Sequence, residues 1–398
     1  MKYSFYLIKR SLEDAVMYPF ILLGKACASF LLPNERFDLL LIFPFHHLGG
    51  AERVHLNISR ALSKKKCLIL FTRKSDSVGF RSAFELTGHR IIDISAYTDN
   101  KWLYVLNIFC RGAVAGWVNA YKTPVFNGQS NFGYKLSPWV HASIPQVELI
   151  HAFCSFSWIR IPFAAFYVKT IMISRQAINQ HEAQYDALNI PEGLKRRICY
   201  IPNGVVISEE RVEKSIQPPF HVLFVGRPDR DKRPLLFAHI AEKCNNAQLP
   251  VQFHMVGDLS SSIPSRYHSH LQFHGSITDD QVLRDLYAQS HLLILCSLHE
   301  GFPMVIAEAM AYGNAIASTP VGDIPYHIHQ GKNGFLFSSV ENEETIVTES
   351  VSYIESLLQD PASFLEISKT NTHYAKEIFG IAKFEEQYRL LIEEITAP

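Results

Sequence analysis

Glu300 and Glu308 frame the stretch of this chain richest in chemistry: Ser297-Leu298-His299-Glu300-Gly301-Phe302-Pro303-Met304-Val305-Ile306-Ala307-Glu308-Ala309-Met310-Ala311-Tyr312-Gly313. An apolar run ending at Cys296 reads as a strand, and the short loop after it carries Glu300 and Gly301. Pro303 suits the first turn of a helix, where its missing N–H costs nothing, and Gly313 suits the helix exit. The N–H groups near Met304 and Val305 then lack intrahelical partners and favour an anion, while Gly301 lets that ligand approach the backbone. The Glu-x7-Glu spacing alone carries little, since Glu341/Glu349 and Glu377/Glu385 share it and read as solvated faces. What sets Glu300 and Glu308 apart is placement, one in a loop after a strand and the other inside the following helix.

Such an anion needs cations. The segment Val225-Gly226-Arg227-Pro228-Asp229-Arg230-Asp231-Lys232 supplies them, with a strand ending at Gly226 and Arg227 and Lys232 following in a loop. Arginine can grip two phosphate oxygens at once. A diphosphate with hydroxyl-bearing groups at both ends, one for each carboxylate, describes a nucleotide sugar. Asp229-x-Asp231 matches a short metal-binding pattern, but it lies in the turn already assigned to phosphate contact. It reads as an exposed turn, and no divalent metal is expected.

These groups must be held by a scaffold. Residues 37–45 (FDLLLIFPF) form a continuous apolar run, as in a strand covered on both faces. His46-His47-Leu48-Gly49-Gly50 follows as a loop, then a helical pattern from Ala51 with Val54, Ile58, Ala61 and Leu62 on one face. Residues 67–71 read as the next strand, completing a unit of a parallel sheet. Residues 147–150 and 170–173 read as later strands. Before them, residues 97–139 are rich in aromatics, among them Trp102, Tyr104, Trp117, Phe126 and Trp139, which suit a core, helix packing or an acceptor groove. A second strand series covers residues 222–225, 252–256, 271–273, 292–295 and 315–317, with Thr278 and Gln281 as a capping box before a helix. The fold class is α/β, with two Rossmann-like doubly wound parallel-sheet domains facing a cleft. The expected division is an N-terminal apolar/amphipathic helical segment over 1–36, a first domain over 37–208 and a polar linker over 209–220. A second domain over 221–374 and a C-terminal helix over 375–398 follow.

Composition agrees with two globular domains. The chain has 398 residues, 47% hydrophobic and 19% charged. Its formal net charge of zero argues against a nucleic-acid partner, whose phosphates demand many Lys and Arg. Seven cysteines, scattered and without a CxxC, read as buried free thiols in a reducing compartment. Residues 15–32 are mostly apolar but interrupted by Pro19 and Lys25, and the flanks are basic. Two readings stand for this segment: an interfacial helix on an anionic membrane surface, or a helix packed on the first domain. No cleavable signal is apparent.

The segments VLFVGRPDRDK, HGSITDDQVLRDLYAQSHLLILCSLHEGFPMVIAEAMAYGNAIAS and TPVGDIPYHIHQGKNGFLF resemble the donor domain of family 4 retaining glycosyltransferases, the group 1 type with the GT-B fold. Ile201-Pro202-Asn203-Gly204-Val205 resembles the family's segment before the linker, with Val206 where Asp is usual, and Gly49-Gly50-Ala51-Glu52-Arg53 its N-terminal glycine loop. The resemblance runs from about Phe37 onward and is closest from Val222 to Phe337. It implies that Glu308 holds the ribose hydroxyls and Glu300 a hydroxyl of the transferred sugar. The backbone of Gly301, Phe302, Pro303, Met304 and Val305 would line sugar and phosphate, and Arg227 and Lys232 would neutralise the leaving diphosphate. His151 matches the family's active-site histidine, and Gly50 would lie near the diphosphate or acceptor. Asp323 stands where a second Gly is common, and Tyr326 where Glu is common.

The resemblance implies transfer of a hexosyl group, with retention, from a nucleotide-diphosphate sugar to a glycan or lipid-linked acceptor in cell-surface polysaccharide synthesis. No cofactor beyond the donor is implied. The expected location is cytoplasmic, peripheral at the inner membrane face. Two other readings stay open: a nucleotide-sugar epimerase on the same scaffold, and a non-catalytic sugar-nucleotide-binding subunit. A nicotinamide enzyme is disfavoured because no GxGxxG follows Phe45.

Overall fold

Five consecutive buried residues make β1 (Leu39–Phe43), the centre of the first sheet. With no polar side chain among them, both faces must be covered by protein, as in a central parallel strand. The computed structural model describes residues 2–76, 78–207, 214–215, 217–277 and 279–397. They group into two units, one running to Asn203 and resuming at Phe384, the other spanning Gly204–Lys383.

The first unit adds β2 (Cys67–Phe71), β3 (Arg90–Asp93), β4 (Val125–Asn127), β5 (Gln146–Ile150), β6 (Lys169–Met172) and β7 (Ile198–Tyr200). All pair in parallel, in the order β3-β2-β1-β4-β5-β6-β7. The second unit contains β8 (Phe220–Val225), β9 (Val251–Val256), β10 (Leu271–Phe273), β11 (Leu292–Leu295), β12 (Ala315–Ser318) and β13 (Phe335–Leu336), ordered β10-β9-β8-β11-β12-β13. Each unit is a Rossmann-like doubly wound sheet, as expected from the sequence. The winding reverses between β1 and β4 and between β8 and β11, and ligands of such sheets bind at the carboxyl ends of those strands.

The first 36 residues are not an appendage. Helix Tyr3–Ala26 packs on helix Tyr104–Tyr121 in the same unit, with Met17 and Ile21 buried. Glycines let the two backbones touch: a Cβ on Gly24 would lie 2.2 Å from the Phe109 carbonyl oxygen, and one on Gly112 2.3 Å from that of Ile21. The opposite side of the first helix is also apolar. Phe5, Ile8, Leu12, Val16 and Leu23, followed by Phe30, recur at helical spacing and are exposed. The packed reading of this segment therefore holds for one face, and the other face is an exposed apolar stripe. Among the described residues no helix is long and apolar enough to cross a membrane.

The C-terminal segment departs from the expected single helix over 375–398. Helix Pro361–Phe379 ends at an extended Gly380, and a second helix, Ile381–Thr396, follows. The break is held by Val205, whose N–H donates to the Phe379 carbonyl (2.7 Å) and whose carbonyl accepts from Ile381 N–H (2.9 Å). Beyond Phe384 the chain rejoins the first unit, where Tyr388 is wholly buried and Glu394 pairs with Lys169 at 2.9 Å. Of the expected linker 209–220, residues 209–213 and 216 lie outside the described residues, and Phe220 already opens β8. Thr278 also lies outside them; the cap of helix Asp280–Gln289 is Asp279, which accepts from Gln281 N–H at 2.8 Å. The aromatic stretch divides: Trp117, Phe126, Phe132 and Tyr134 are buried, whereas Trp102 is 96% exposed. All seven cysteines are free, but only Cys67, Cys244 and Cys296 are buried; Cys27, Cys110 and Cys199 are half-buried and Cys154 is exposed.

Candidate active site

In the second unit, β8 and β11 deliver two loops to the same end of the sheet. Lys232 Nζ from the first loop donates to Glu300 Oε1 in the second, and Ser297 Oγ donates to the same oxygen at 2.7 Å. Helix Met304–Ala311 begins immediately after, with no side-chain cap and no acidic residue in its first turn. Pro303 is its N-cap rather than its first helical residue, so the first free N–H belongs to Met304. That leaves a positive helix end beside Glu300. The helix closes in a Schellman motif, with Gly313 at φ 73° donating to Met310 O (2.9 Å) and Asn314 N–H to Ala309 O (3.0 Å). Glu308 lies inside the helix and accepts from Tyr287 Oη at 2.9 Å.

Lys232, Glu300 and the helix entrance thus meet as expected. Arg227 does not join them. Its side chain is 83% exposed and its nearest carboxylate is Asp229, at 3.5 Å. Strand β8 ends at Val225, and Arg227 stands in the loop beyond it. Asp229 also caps its own turn, accepting from Lys232 N–H at 3.0 Å, while Asp231 lies 3.4 Å from His299.

Several residues that position this loop carry no motif. Arg233, in a left-handed conformation (φ 48°), sends Nε to the Cys296 carbonyl (2.5 Å) and so ties the β8 loop to the end of β11. Gly322, at φ 60°, passes so close that a Cβ would lie 2.2 Å from Gly301 O. Asp323 N–H donates to that same oxygen at 2.7 Å. Asp323 itself is fully buried against His327 (3.7 Å), whose Nδ1 meets Tyr374 Oη at 2.9 Å. Phe302 stacks on Phe379 and packs on the His327 ring. The departure at Asp323 is therefore structural, a buried polar chain behind the Gly301–Phe302 turn. Tyr326, the other departure, is 44% exposed.

In the first unit a cavity of about 660 Å³ opens at the winding reversal. Loops after β1, β4 and β5 line it through Phe45, Gly128, Gln129 and His151. His151 N–H donates to Gln129 Oε1 at 3.0 Å, and its Nε2 lies 3.0 Å from Nε2 of His55. His55 is buried and stacked on Phe43 with ring centroids 4.3 Å apart. Gly128 makes room for this pair, since a Cβ there would lie 2.6 Å from the Phe43 ring and 2.8 Å from His55 Nε2. Gly50 begins helix Gly50–Ala61, and a Cβ on it would meet nothing within 4 Å. His55, the partner of His151, escaped sequence reading because its helix gave only an apolar face.

Burial pushes the His151 imidazole down to about 4. Burial, then repulsion from His151, holds His55 well below its usual range. Both are neutral at pH 7, so one Nε2 donates to the other. The unfolded chain takes up protons below about pH 6.5 that the folded pair refuses, so its contribution is complete above that pH and is lost as pH falls toward 4. Thermal melting between pH 4 and 8 should show stability dropping by up to about 1.4 kcal/mol per pH unit for each histidine. His151→Gln should flatten that slope, and an unchanged slope would contradict the assignment.

Residues 219–360 match the family described as Glycosyl transferases group 1. The D-inositol 3-phosphate glycosyltransferase of Corynebacterium aurimucosum is 24% identical over 225 residues, 53% of this chain and 52% of that protein. The GalNAc-alpha-(1->4)-GalNAc-alpha-(1->3)-diNAcBac-PP-undecaprenol alpha-1,4-N-acetyl-D-galactosaminyltransferase of Campylobacter jejuni is 24% identical over 211 residues, 51% of this chain and 56% of that protein. The chain thus spans about half the length of these curated relatives. Among solved structures, Anabaena HepE in complex with UDP superposes with a TM-score of 0.71 at 17% identity, covering 90% of this chain and 100% of that one. At that identity the likeness speaks for the fold.

Proposed function

Because residues 219–360 are a glycosyl transferases group 1 domain and the chain has the GT-B fold, we propose that it transfers a hexosyl group from a nucleotide-diphosphate sugar to a glycan or lipid-linked acceptor. The reading adds retention of anomeric configuration and a place in cell-surface polysaccharide synthesis. The observation that carries it is the meeting of Lys232, Glu300 and an uncapped helix entrance at the carboxyl ends of β8 and β11. Lys232 and the Met304 and Val305 N–H groups receive the diphosphate. Glu308 holds the ribose, and Glu300, released by Lys232 when phosphate arrives, holds a sugar hydroxyl. Negative charge grows on the diphosphate as the sugar departs, and a fixed cation with fixed dipoles stabilises it without reorganisation. Retention needs no enzyme nucleophile if the acceptor hydroxyl attacks from the face the diphosphate leaves. Lys232 and the helix end supply the charge, so this reading gives no step to a divalent metal. His151 and Gly50, in the first unit's cavity, serve the acceptor side.

UDP, which the Anabaena neighbour binds, is the nucleotide to try first. The purified chain should gain thermal stability with one UDP-hexose and consume it only when an acceptor glycan is added. Donor conversion without acceptor would point to epimerisation, and the lack of any shift across nucleotide sugars would end the reading.

The exposed stripe of Phe5, Ile8, Leu12, Val16 and Leu23, flanked by exposed Lys2, Lys9 and Arg36, fits an anionic bilayer surface. The reading therefore includes peripheral attachment at the inner membrane face. In flotation with phosphatidylglycerol vesicles the protein should rise with the lipid, and Leu12→Glu with Val16→Glu should leave it at the bottom. Equal flotation of the double variant would exclude this face.

A further inference from the structure

The first unit's cavity has a second cluster, away from His151. Tyr104, Asn107 and Arg111 occupy one face of helix Tyr104–Tyr121, and Lys135 and Asn131 come from helix Asn131–Leu136; all five line the cavity. Arg111 is 2% exposed. Its Nε donates to Asn107 Oδ1 at 2.9 Å and its Nη1 points at Met17 Sδ at 3.4 Å. Lys135 Nζ donates to Tyr104 Oη at 3.5 Å. Both cations also stand 5.7 Å from the centre of the Tyr104 ring.

A buried guanidinium is costly unless an anion answers it. Among the described residues neither Arg111 nor Lys135 forms an ion pair with a carboxylate. Asp14, on the first helix, acts on Arg111 only at longer range and is paired with Arg10 at 3.5 Å. The cavity's own carboxylates are taken: Asp99 lies 3.4 Å from Arg73, and Glu52 lies 3.5 Å from His47. Burial alone would push the Tyr104 phenol up, yet Lys135 and Arg111 outweigh it and draw it down, a sign of net positive potential at this spot. Asn131 Oδ1 is buried there without a hydrogen-bond partner.

We propose that Arg111, Lys135 and Tyr104 form a phosphate-binding subsite that holds a phosphate or diphosphate ester on the acceptor. This rests on the transferase reading, and it assigns the first unit's cavity a charged acceptor rather than a neutral glycan. Two convergent cations, one a planar fork and one a point charge, match the two negative charges of a phosphate monoester better than a single carboxylate. The Met17 contact sets Arg111 directly beneath the helix that bears the exposed apolar stripe. The ester could therefore belong to a membrane lipid or to a soluble molecule.

Inorganic pyrophosphate is the probe. It would be titrated calorimetrically into the full chain with UDP saturating, so that the second unit's diphosphate site is filled. The wild type should bind it, and Lys135→Gln and Arg111→Lys should each raise the dissociation constant at least tenfold while UDP affinity stays unchanged. Lys135 is only half-buried, so its variant keeps the test valid if Arg111→Lys fails to fold. No pyrophosphate binding, or equal binding by wild type and Lys135→Gln, would overturn the subsite. Pyrophosphate binding with no UDP binding would leave the subsite standing and strike the donor assignment instead. A parallel arm compares vesicles carrying a prenyl diphosphate with phosphatidylglycerol vesicles of equal charge. Extra binding that free pyrophosphate displaces assigns the ester to a lipid, and its absence, with pyrophosphate still bound, assigns it to a soluble acceptor.

Discussion

Replacing Glu308 by alanine should cost about a hundredfold in affinity for the nucleotide-sugar donor and leave the fold intact. Glu308 sits within helix Met304–Ala311, where alanine is the best helix former, and it is not fully buried, so truncation leaves no sealed void. The Tyr287 hydroxyl donates to it at 2.9 Å and helps hold the carboxylate in place from helix Asp280–Gln289. A hydrogen bond to a charged group contributes about 1.5–3 kcal/mol, and a ribose offers two hydroxyls. Allowing for water that replaces part of the loss, about 3 kcal/mol remains, which is about a hundredfold in the dissociation constant. Because the ribose does not change during transfer, the loss should appear in KM with kcat nearly intact. Glu300→Ala should show the other pattern, a fall in kcat, since Glu300 is assigned to the reacting sugar. Calorimetry with UDP and steady-state kinetics separate the two. Unchanged UDP affinity in Glu308→Ala would remove the carboxylate from the donor site.

The contrast between Glu308 and Arg227 shows which parts of the site could be read in the sequence. Glu308 is fixed by its helix, and a helix is visible from Pro303 at one end and Gly313 at the other. Arg227 comes two residues after β8 ends and depends on loop geometry, which no periodicity encodes, and it stands in solvent beside Asp229. The same division runs through the fold. Strands covered on both faces announce themselves as apolar runs, and β2 and β11 begin and end at the expected residues. Strand β3 reads Arg-Ile-Ile-Asp at the edge of its sheet, with both end residues exposed, and β13 has only two residues, so neither gives a pattern. The first helix misled in another way. It is apolar on two sides, and a sequence pattern cannot say which side packs; the glycines at 24 and 112 settle it only once their neighbours are known. Buried charge was the least legible feature. Arg111, Asp323 and Glu148 look like surface residues until the elements that bury them are in place.

Glu148 carries the largest expected effect on stability. It lies in β5, where both faces are covered, and is 0% exposed. Its carboxylate accepts from Arg160 through Nε (3.0 Å) and Nη2 (2.5 Å) and from Thr170 Oγ1 on β6 (2.7 Å). Arg160 is 1% exposed and reaches on to Tyr185 Oη at 2.7 Å, in helix Arg175–Leu188. Burial works against the Arg160 charge, but Glu148 more than compensates, so the guanidinium stays ionised. Glu148→Gln keeps the shape and removes the countercharge, leaving a charged guanidinium in a sealed interior. Breaking a buried pair from one side costs about 3–5 kcal/mol, a large share of the roughly 5–15 kcal/mol that holds a domain folded. The urea midpoint of the first unit should fall accordingly, with the second unit's transition unmoved. Removing both charges should hurt less than removing one, so Glu148→Met with Arg160→Met should recover much of the loss. A single Glu148→Gln variant within about 1 kcal/mol of wild type would mean that water or a rearranged side chain reaches Arg160, against the closed packing seen here. Function should follow stability at this position. β5 ends two residues beyond Glu148 and hands the chain directly to His151, so a loosened pair would free the imidazole that Gln129 and His55 hold over the cavity.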